Sequence, residues 1–231
     1  MRGLPAEAAE AVAAVHAEQG VAIRTGIAIE RFTGSGSLDG VVLSDGETLA
    51  ADAVVVGIGI EPNTGLASAA GVEVNDGIVT DQYGRASIEG VYAAGDCASC
   101  FLPRYGRHIR LESFQNADQQ GMNVASTIAG AAAGYDPVPF LWSDQYDRVL
   151  QVAGFPAEGD RQVARGTAAD QNLVLFSLAG GRLVGVCGWG QARQIARDVR
   201  FSQTLMQNGV NPDPDQLADP GVAVKDLLSS S

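Results

Sequence analysis

Thr80-Asp-Gln-Tyr-Gly-Arg-Ala-Ser-Ile-Glu-Gly-Val-Tyr-Ala-Ala-Gly-Asp96 is the stretch on which the reading of this chain turns. It reads as a polar turn from Asp81 to Arg85, a second turn at Glu89-Gly90, and a short apolar strand, Val91 to Ala94, running into Gly95-Asp96. A basic loop and then a helix are expected beyond it. A glycine at the end of a strand lets a ligand approach the backbone closely. The adjacent carboxylate can accept hydrogen bonds from sugar or polyol hydroxyls. Gly-Asp by itself is also ordinary turn chemistry, so the surrounding elements have to decide.

Upstream, Leu4 to Glu18 carries Val12 and Val15 on one helical face, with Gly20 as a stop. Strands are expected at Val21–Ile23, Ile27–Phe32 and Gly40–Leu43, followed by a hairpin-type turn at Asp45-Gly46. Ala53 to Ile60 is a continuous apolar, β-branched run, the pattern of a strand buried on both faces. It ends in Gly57-Ile-Gly59-Ile-Glu61-Pro62-Asn63, where the proline cannot continue a sheet.

Downstream, Arg104, Arg107, His108 and Arg110 make a basic loop, which could steer an acidic protein partner or simply be solvated. A helix is expected over Asn116–Ala133, and Pro137 and Pro139 mark a boundary. Beyond it, strands are expected at Gln151–Gly154, Asp160–Gly166, Leu173–Leu178 and Leu183–Trp189, then a helix over Gln191–Gln207 closed by Asn208-Gly209. That pattern makes an α+β domain on an antiparallel sheet. Cys97-Ala-Ser-Cys100 has redox-motif spacing, although packing is the plainer role for Cys97.

The 231 residues allow two or three structural units. No apolar run is long enough to span a membrane. A net charge of -12 argues against a nucleic-acid partner. Three cysteines are too few for a disulfide framework or a four-cysteine iron–sulfur cluster, and a reducing cytoplasm fits.

Taken together, these elements resemble the oxygenase-type and rubredoxin-reductase-like members of the pyridine nucleotide-disulphide oxidoreductase superfamily. That group includes the FAD-dependent NADH–ferredoxin reductases of bacterial oxygenase systems. The 80–96 stretch is shared widely in the superfamily. Leu111-Glu-Ser-Phe-Gln-Asn-Ala117, Phe140-Leu-Trp-Ser-Asp-Gln-Tyr146 with Gln151-Val-Ala-Gly154, and Gly181-Arg-Leu-Val-Gly185 narrow it.

The resemblance implies an α/β fold: the second halves of an NAD domain (1–59) and of an FAD domain (60–136), then a C-terminal α+β reductase domain (137–231). It implies FAD and NADH as cofactors and a [2Fe–2S] ferredoxin as electron acceptor, with no membrane or nucleic-acid role. Cofactor-binding positions carried over are Gly59 near NADH, Gly95 and Asp96 on the FAD, Glu112 at the nicotinamide carboxamide, Phe114 by the isoalloxazine, Trp142 on the flavin–nicotinamide region, and Ser113 as a further cofactor-binding position. No general acid or base is implied, because the cofactors carry the chemistry. A rubredoxin reductase, an NADH oxidase or a non-catalytic remnant that keeps a ferredoxin-docking domain are the competing readings.

The chain departs from the pattern in one respect. No Gly-x-Gly-x-x-Gly is present; Gly34-Ser-Gly36-Ser-Leu-Asp-Gly40 has the wrong spacing and context. A full reductase carries two such fingerprints, and both would precede Met1. The expectation is therefore a C-terminal part that depends on another chain or segment for the half with both fingerprints. Alone, it is expected to bind FAD and NADH poorly.

Overall fold

The computed structural model describes residues 3–229. Two compact units emerge, one of residues 13–61 and one of residues 1–12 with 62–231. Helix α1 (Ala6–Glu18) follows Pro5, which suits a helix start, and buries Ala8, Val12 and Val15.

The smaller unit is an antiparallel meander of β1 (Ile29–Thr33), β2 (Gly40–Leu43) and β3 (Thr48–Ala50), in the order β1-β2-β3. All four residues of β2 are buried. Asp45-Gly46 turns the chain as expected, with the Asp45 carboxylate accepting from the Glu47 N–H. Val21–Ile23 forms no strand, and β1 begins two residues later than expected.

The larger correction concerns Ala53–Ile60, which is extended but pairs with nothing. Val55 is 97% exposed and Ile58 92%. A strand exists only where a neighbour accepts its backbone hydrogen bonds. No other strand lies beside this run among the described residues, so its apolar, β-branched composition does not suffice.

In the larger unit, α2 (Gly65–Ala69) precedes a three-stranded sheet of β4 (Ile78–Thr80), β5 (Ala98–Leu102) and β6 (Arg107–Arg110). β4 and β5 run parallel, β5 and β6 antiparallel. Two expectations fail here. Val91–Ala94 is not a strand; only Tyr92 bridges, to Arg85. The strand comes after the Gly95–Cys97 turn, in β5, and the basic segment is β6 with its approach rather than a loop. Val91–Ala94 pairs only locally, with the turn residues Gly84 and Ala86, and extends no ladder, whereas β5 has a neighbouring strand on each side.

Helix α3 (Phe114–Ile128) starts where the Ser113 hydroxyl accepts from the Asn116 N–H. It ends five residues before the expected Ala133. Its buried face is polar, carrying Asn116, Gln120 and Thr127. These side chains satisfy loop backbone: Asn116 donates to the Leu111 carbonyl, and neighbouring Asn123 donates to that of Gln82.

The C-terminal part is a five-stranded antiparallel sheet, β7 (Phe140–Gln145), β8 (Arg148–Gly154), β9 (Arg161–Arg165), β10 (Asn172–Ala179) and β11 (Arg182–Gly190), ordered β7-β8-β11-β10-β9. Of these, β7 had no counterpart in the expected strands. Helix α4 (Ala192–Asn208) lays Ile195, Val199, Leu205 and Met206 on this sheet and ends at Gly209 in the left-handed region. Gly188 makes the close approach possible, because a Cβ there would lie 2.7 Å from Val199 Cγ2. A last short helix, α5 (Pro214–Ala218), is tied down by buried Arg165. Its guanidinium donates to the Leu217 and Gln216 carbonyls and pairs with Asp198. A buried charge is tolerated when paired and hydrogen-bonded in this way.

Candidate functional site

The Gly95–Cys97 turn packs on α3. Gly95 is buried at φ 79°, a conformation that suits glycine, and its N–H donates to Gln120 Oε1 at 2.7 Å. A Cβ at this position would meet Ala117 at an ordinary 3.6 Å, so backbone conformation rather than crowding demands the glycine. The neighbouring Asp96 is exposed. Its backbone carbonyl accepts from Arg110 Nη1 at 3.3 Å, while its carboxylate makes no hydrogen bond or ion pair among the described residues. The result is a fixed backbone carrying an unspent, solvent-facing acceptor.

Arg110 organises the next part of the site. From the end of β6 it pairs with Asp76 at 3.0 Å and with Glu112 at 2.6 Å. Glu112 is thereby tethered by one oxygen, leaving Oε2 available to accept further hydrogen bonds. Ser113 caps α3, and Phe114, the first helical residue, is 78% exposed.

Trp142 stands on β7, 46% exposed and stacked on Phe140, with ring centroids 6.0 Å apart. Phe140 and Ser113 line one small cleft together with Leu111, Gln115 and Tyr135. The fold thus brings Gly95, Asp96, Glu112, Ser113 and Phe114 to the α3 start and its flanks, while Trp142 stands on β7, stacked on the Phe140 that lines the Ser113 cleft. Gly59 lies in the other unit, at φ 109° in the exposed run, with nothing within 4 Å of a would-be Cβ.

Two sequence readings change at this point. The arginines of the basic segment are spent internally. Arg104 donates to the Met206 and Gln207 carbonyls, and Arg107 pairs with Glu158 and lies over the Phe155 ring. Cys97 and Cys100 are free thiols pointing to different carbonyls, those of Ala94 and Asp81. Burial pushes the Cys100 thiol up, which opposes thiolate chemistry.

Gln120 was not singled out in the sequence. The signal was there in the amide-rich spacing of Asn116, Gln120, Asn123 and Thr127 along one helical face. Polar side chains on the inner face of a helix indicate backbone groups waiting to be satisfied.

Comparison with known families matches residues 1–121 to the pyridine nucleotide-disulphide oxidoreductase family and residues 140–228 to the reductase C-terminal family. The chain belongs to the pyridine nucleotide-disulphide oxidoreductase family. Among relatives in this family, the ferredoxin–NAD(+) reductase component of the anthranilate 1,2-dioxygenase system of Burkholderia cepacia is 38% identical over 98% of this chain and 55% of its own. Putidaredoxin reductase of Pseudomonas putida is 34% identical over 94% of this chain and 51% of its own.

The crystal structure of the ferredoxin reductase for the CYP199A2 system of Rhodopseudomonas palustris superposes with a TM-score of 0.90 at 35% identity, covering 96% of this chain and 55% of that one. The reductase in the covalent putidaredoxin reductase–putidaredoxin complex gives 0.91 at 32%, covering 100% and 55%. The chain spans about half the length of these relatives.

The residues present suit one end of a flavin dinucleotide. Asp96 offers an unpaired acceptor for hydroxyls, the first turn of α3 offers backbone N–H groups, and Phe114 offers an exposed apolar face. No described helix is long and apolar enough to cross a membrane.

Proposed function

We propose that this chain serves an FAD-dependent oxidoreductase that carries electrons from NADH to a [2Fe–2S] ferredoxin of an oxygenase system. The observation that carries the proposal is the unpaired Asp96 carboxylate, which follows a Gly95 backbone fixed by its hydrogen bond to Gln120 of α3. In this reading residues 1–59, 60–136 and 137–231 contribute to NAD binding, FAD binding and the reductase C-terminal domain.

The flavin, when bound, accepts a hydride from NADH and passes electrons on singly. The protein binds and orients. Asp96 accepts from hydroxyls of the cofactor, and Gly95 lets it approach. Glu112, held by Arg110, accepts from the nicotinamide carboxamide, while Ser113 fixes the α3 start. Phe114 and Trp142 cover the ring system and exclude water. Gly59, with no side chain in the way, would let the nicotinamide cofactor approach the backbone. No residue transfers a proton.

The test is the visible spectrum of the purified chain before and after FAD is added, followed by gel filtration. Retained, shifted flavin bands that weaken in Asp96→Ala support the site. Retention unchanged by that substitution sinks it. NADH-dependent reduction of putidaredoxin rather than oxygen then separates a ferredoxin reductase from an NADH oxidase.

One observation favours a second reading, in which the residues dock a ferredoxin without turnover. Ala53–Ile60, which carries Gly59, is exposed and unpaired. A colourless chain that still binds ferredoxin is the outcome that reading requires.

A further inference from the structure

One guanidinium spans the candidate site. Arg110 lies opposite Ser99 where β6 pairs with β5, and its side chain is only 10% exposed. Its Nη1 serves two groups. It donates to the carbonyl of Asp96 at 3.3 Å, and it forms an ion pair with Glu112 Oε1 at 2.6 Å. Its Nε donates to Asp76 Oδ1 at 3.0 Å. A guanidinium can hold three such acceptors because its donors are fixed in one plane, whereas an ammonium is a point charge on a flexible stem.

The backbone is shaped around this side chain. Asp76 sits at φ 47°, in the left-handed region that few side chains adopt. Next to it Gly77 sits at φ 113°, and a Cβ there would lie 3.0 Å from Arg110 Cδ and 2.8 Å from the Cys97 carbonyl oxygen. The Asn75 N–H donates to the Gly77 carbonyl at 2.8 Å and closes the turn. The turn thus presses on the stem of Arg110 while the Asp76 carboxylate holds its Nε.

The pairing with Glu112 is not that of a simple clip. A fork-to-fork pair spends both carboxylate oxygens on the guanidinium. Here Oε1 alone is engaged, and the Glu112 side chain stays 41% exposed. Among the described residues nothing bonds to Oε2. An ionised carboxylate only accepts, so Oε2 suits a ligand that brings an N–H. The carboxamide of nicotinamide brings one; a ketone in its place does not.

We infer that Arg110 is a positioning residue that decides selectivity for the carboxamide. It ties Glu112 to the Gly95–Asp96 turn, so the acceptor for the nicotinamide is set relative to the acceptor for the flavin. The Asp76–Gly77 turn fixes Arg110 in turn. This rests on the cofactor reading above and adds to it the residue that aims Glu112.

The test is calorimetric binding of NAD+ and of its 3-acetylpyridine analogue, a methyl ketone, to the purified chain loaded with FAD. Both nucleotides are oxidised, so no hydride moves. The proteins are the unaltered chain, Arg110→Gln, Arg110→Lys, Glu112→Ala, Asp76→Asn and a control, Arg161→Gln, at an exposed position on β9. Circular dichroism checks that each is folded. Asp76→Asn keeps the guanidinium and so stays informative if Arg110→Gln does not fold.

The unaltered chain and the control should prefer NAD+ by roughly tenfold, as one hydrogen bond to a charged acceptor provides. Arg110→Gln and Glu112→Ala should bring the two nucleotides within about twofold of each other, with Arg110→Lys and Asp76→Asn in between. Arg110→Gln weakening both nucleotides alike, with the preference kept, would make Arg110 a clip for the fold and overturn the inference. No preference in an unaltered chain that retains FAD overturns the inference and leaves the flavin reading standing. A chain that holds neither FAD nor NAD+ sinks both.

Discussion

Arg104 Nη1 donates to the carbonyl of Met206 at 2.8 Å, joining the approach to β6 to the last turn of α4. Its Nη2 reaches the Gln207 carbonyl, and Asp136 lies 3.6 Å away. A helix ends with carbonyls that lack intrahelical partners and carry partial negative charge. Arg104 supplies both the donors and the opposite charge. Gln207 adds a second tie, accepting from the Val138 N–H and donating to the Asp136 carbonyl. The seam between the flavin-type segment and the C-terminal sheet is therefore a polar clamp built on the α4 terminus.

Arg104→Ala removes this clamp. It should destabilise the chain by about 2 kcal/mol in urea unfolding, since hydrogen bonds from a charged donor are worth more than neutral ones. Arg104→Lys should recover part of the loss. A change below about 0.5 kcal/mol would assign the seam to apolar packing instead.

The Gly95 turn depends on Gln120 in a similar way. Gln120→Leu leaves a buried N–H without its acceptor and should cost about 1–3 kcal/mol. Asp118→Asn, an exposed change on the same helix, should stay within about 0.5 kcal/mol. Equal effects from the two would show that the Gly95–Gln120 bond contributes nothing specific.

Alkaline pH should unfold this chain early. Burial pushes the Tyr105 phenol and the Cys187 thiol up to about 12, and raises Tyr135 and Cys100 as well. The ordinary values are 9.0 for the thiols and 10.0 for the phenols. Unfolded, these groups lose protons from about pH 9 upward, while the folded chain keeps them, so stability falls as pH rises. The melting temperature should hold below about pH 9 and drop steadily between about 9 and 12. Cys187→Ala should flatten the drop. A melting temperature constant to about pH 11 would mean that these side chains are already hydrated in the fold.

Thermolysin should cut first within Ala53–Ile60, where large aliphatic side chains sit on exposed, unpaired backbone. Val56→Lys with Ile58→Lys should slow that cut and reduce aggregation, because an extended apolar run is a template for association. First cleavage inside the β8–β11 sheet would show that the run is covered in solution.

Local pattern carried much of the architecture. The helices α1 and α4, the β2 turn and the strands β8 to β11 follow from periodicity and turn residues: a helix supplies its own hydrogen bonds, and the strands β8 to β11 follow one another closely enough in sequence to pair among themselves. The family was legible too, because Gly95-Asp96 and the Leu111–Ala117 run keep their identity whatever surrounds them.

What the sequence by itself determined was therefore the kind of protein, while the positions proposed to hold a cofactor rest on that family resemblance. Only the tertiary structure decided which strands exist and which charges are free. Ala53–Ile60 has the composition of a buried strand and lacks neighbours, so it forms none, whereas Ala98–Leu102 gains a partner on each side. Arg104, Arg107 and Arg110 look available along the chain but are taken up by carbonyls and carboxylates distant in sequence. Arg197 and Arg200 stay exposed on α4, while Arg193 turns to the Gln191 side chain. Strand pairing and ion pairing are both contacts between residues far apart in the chain, and their partners become known only once the fold brings them together.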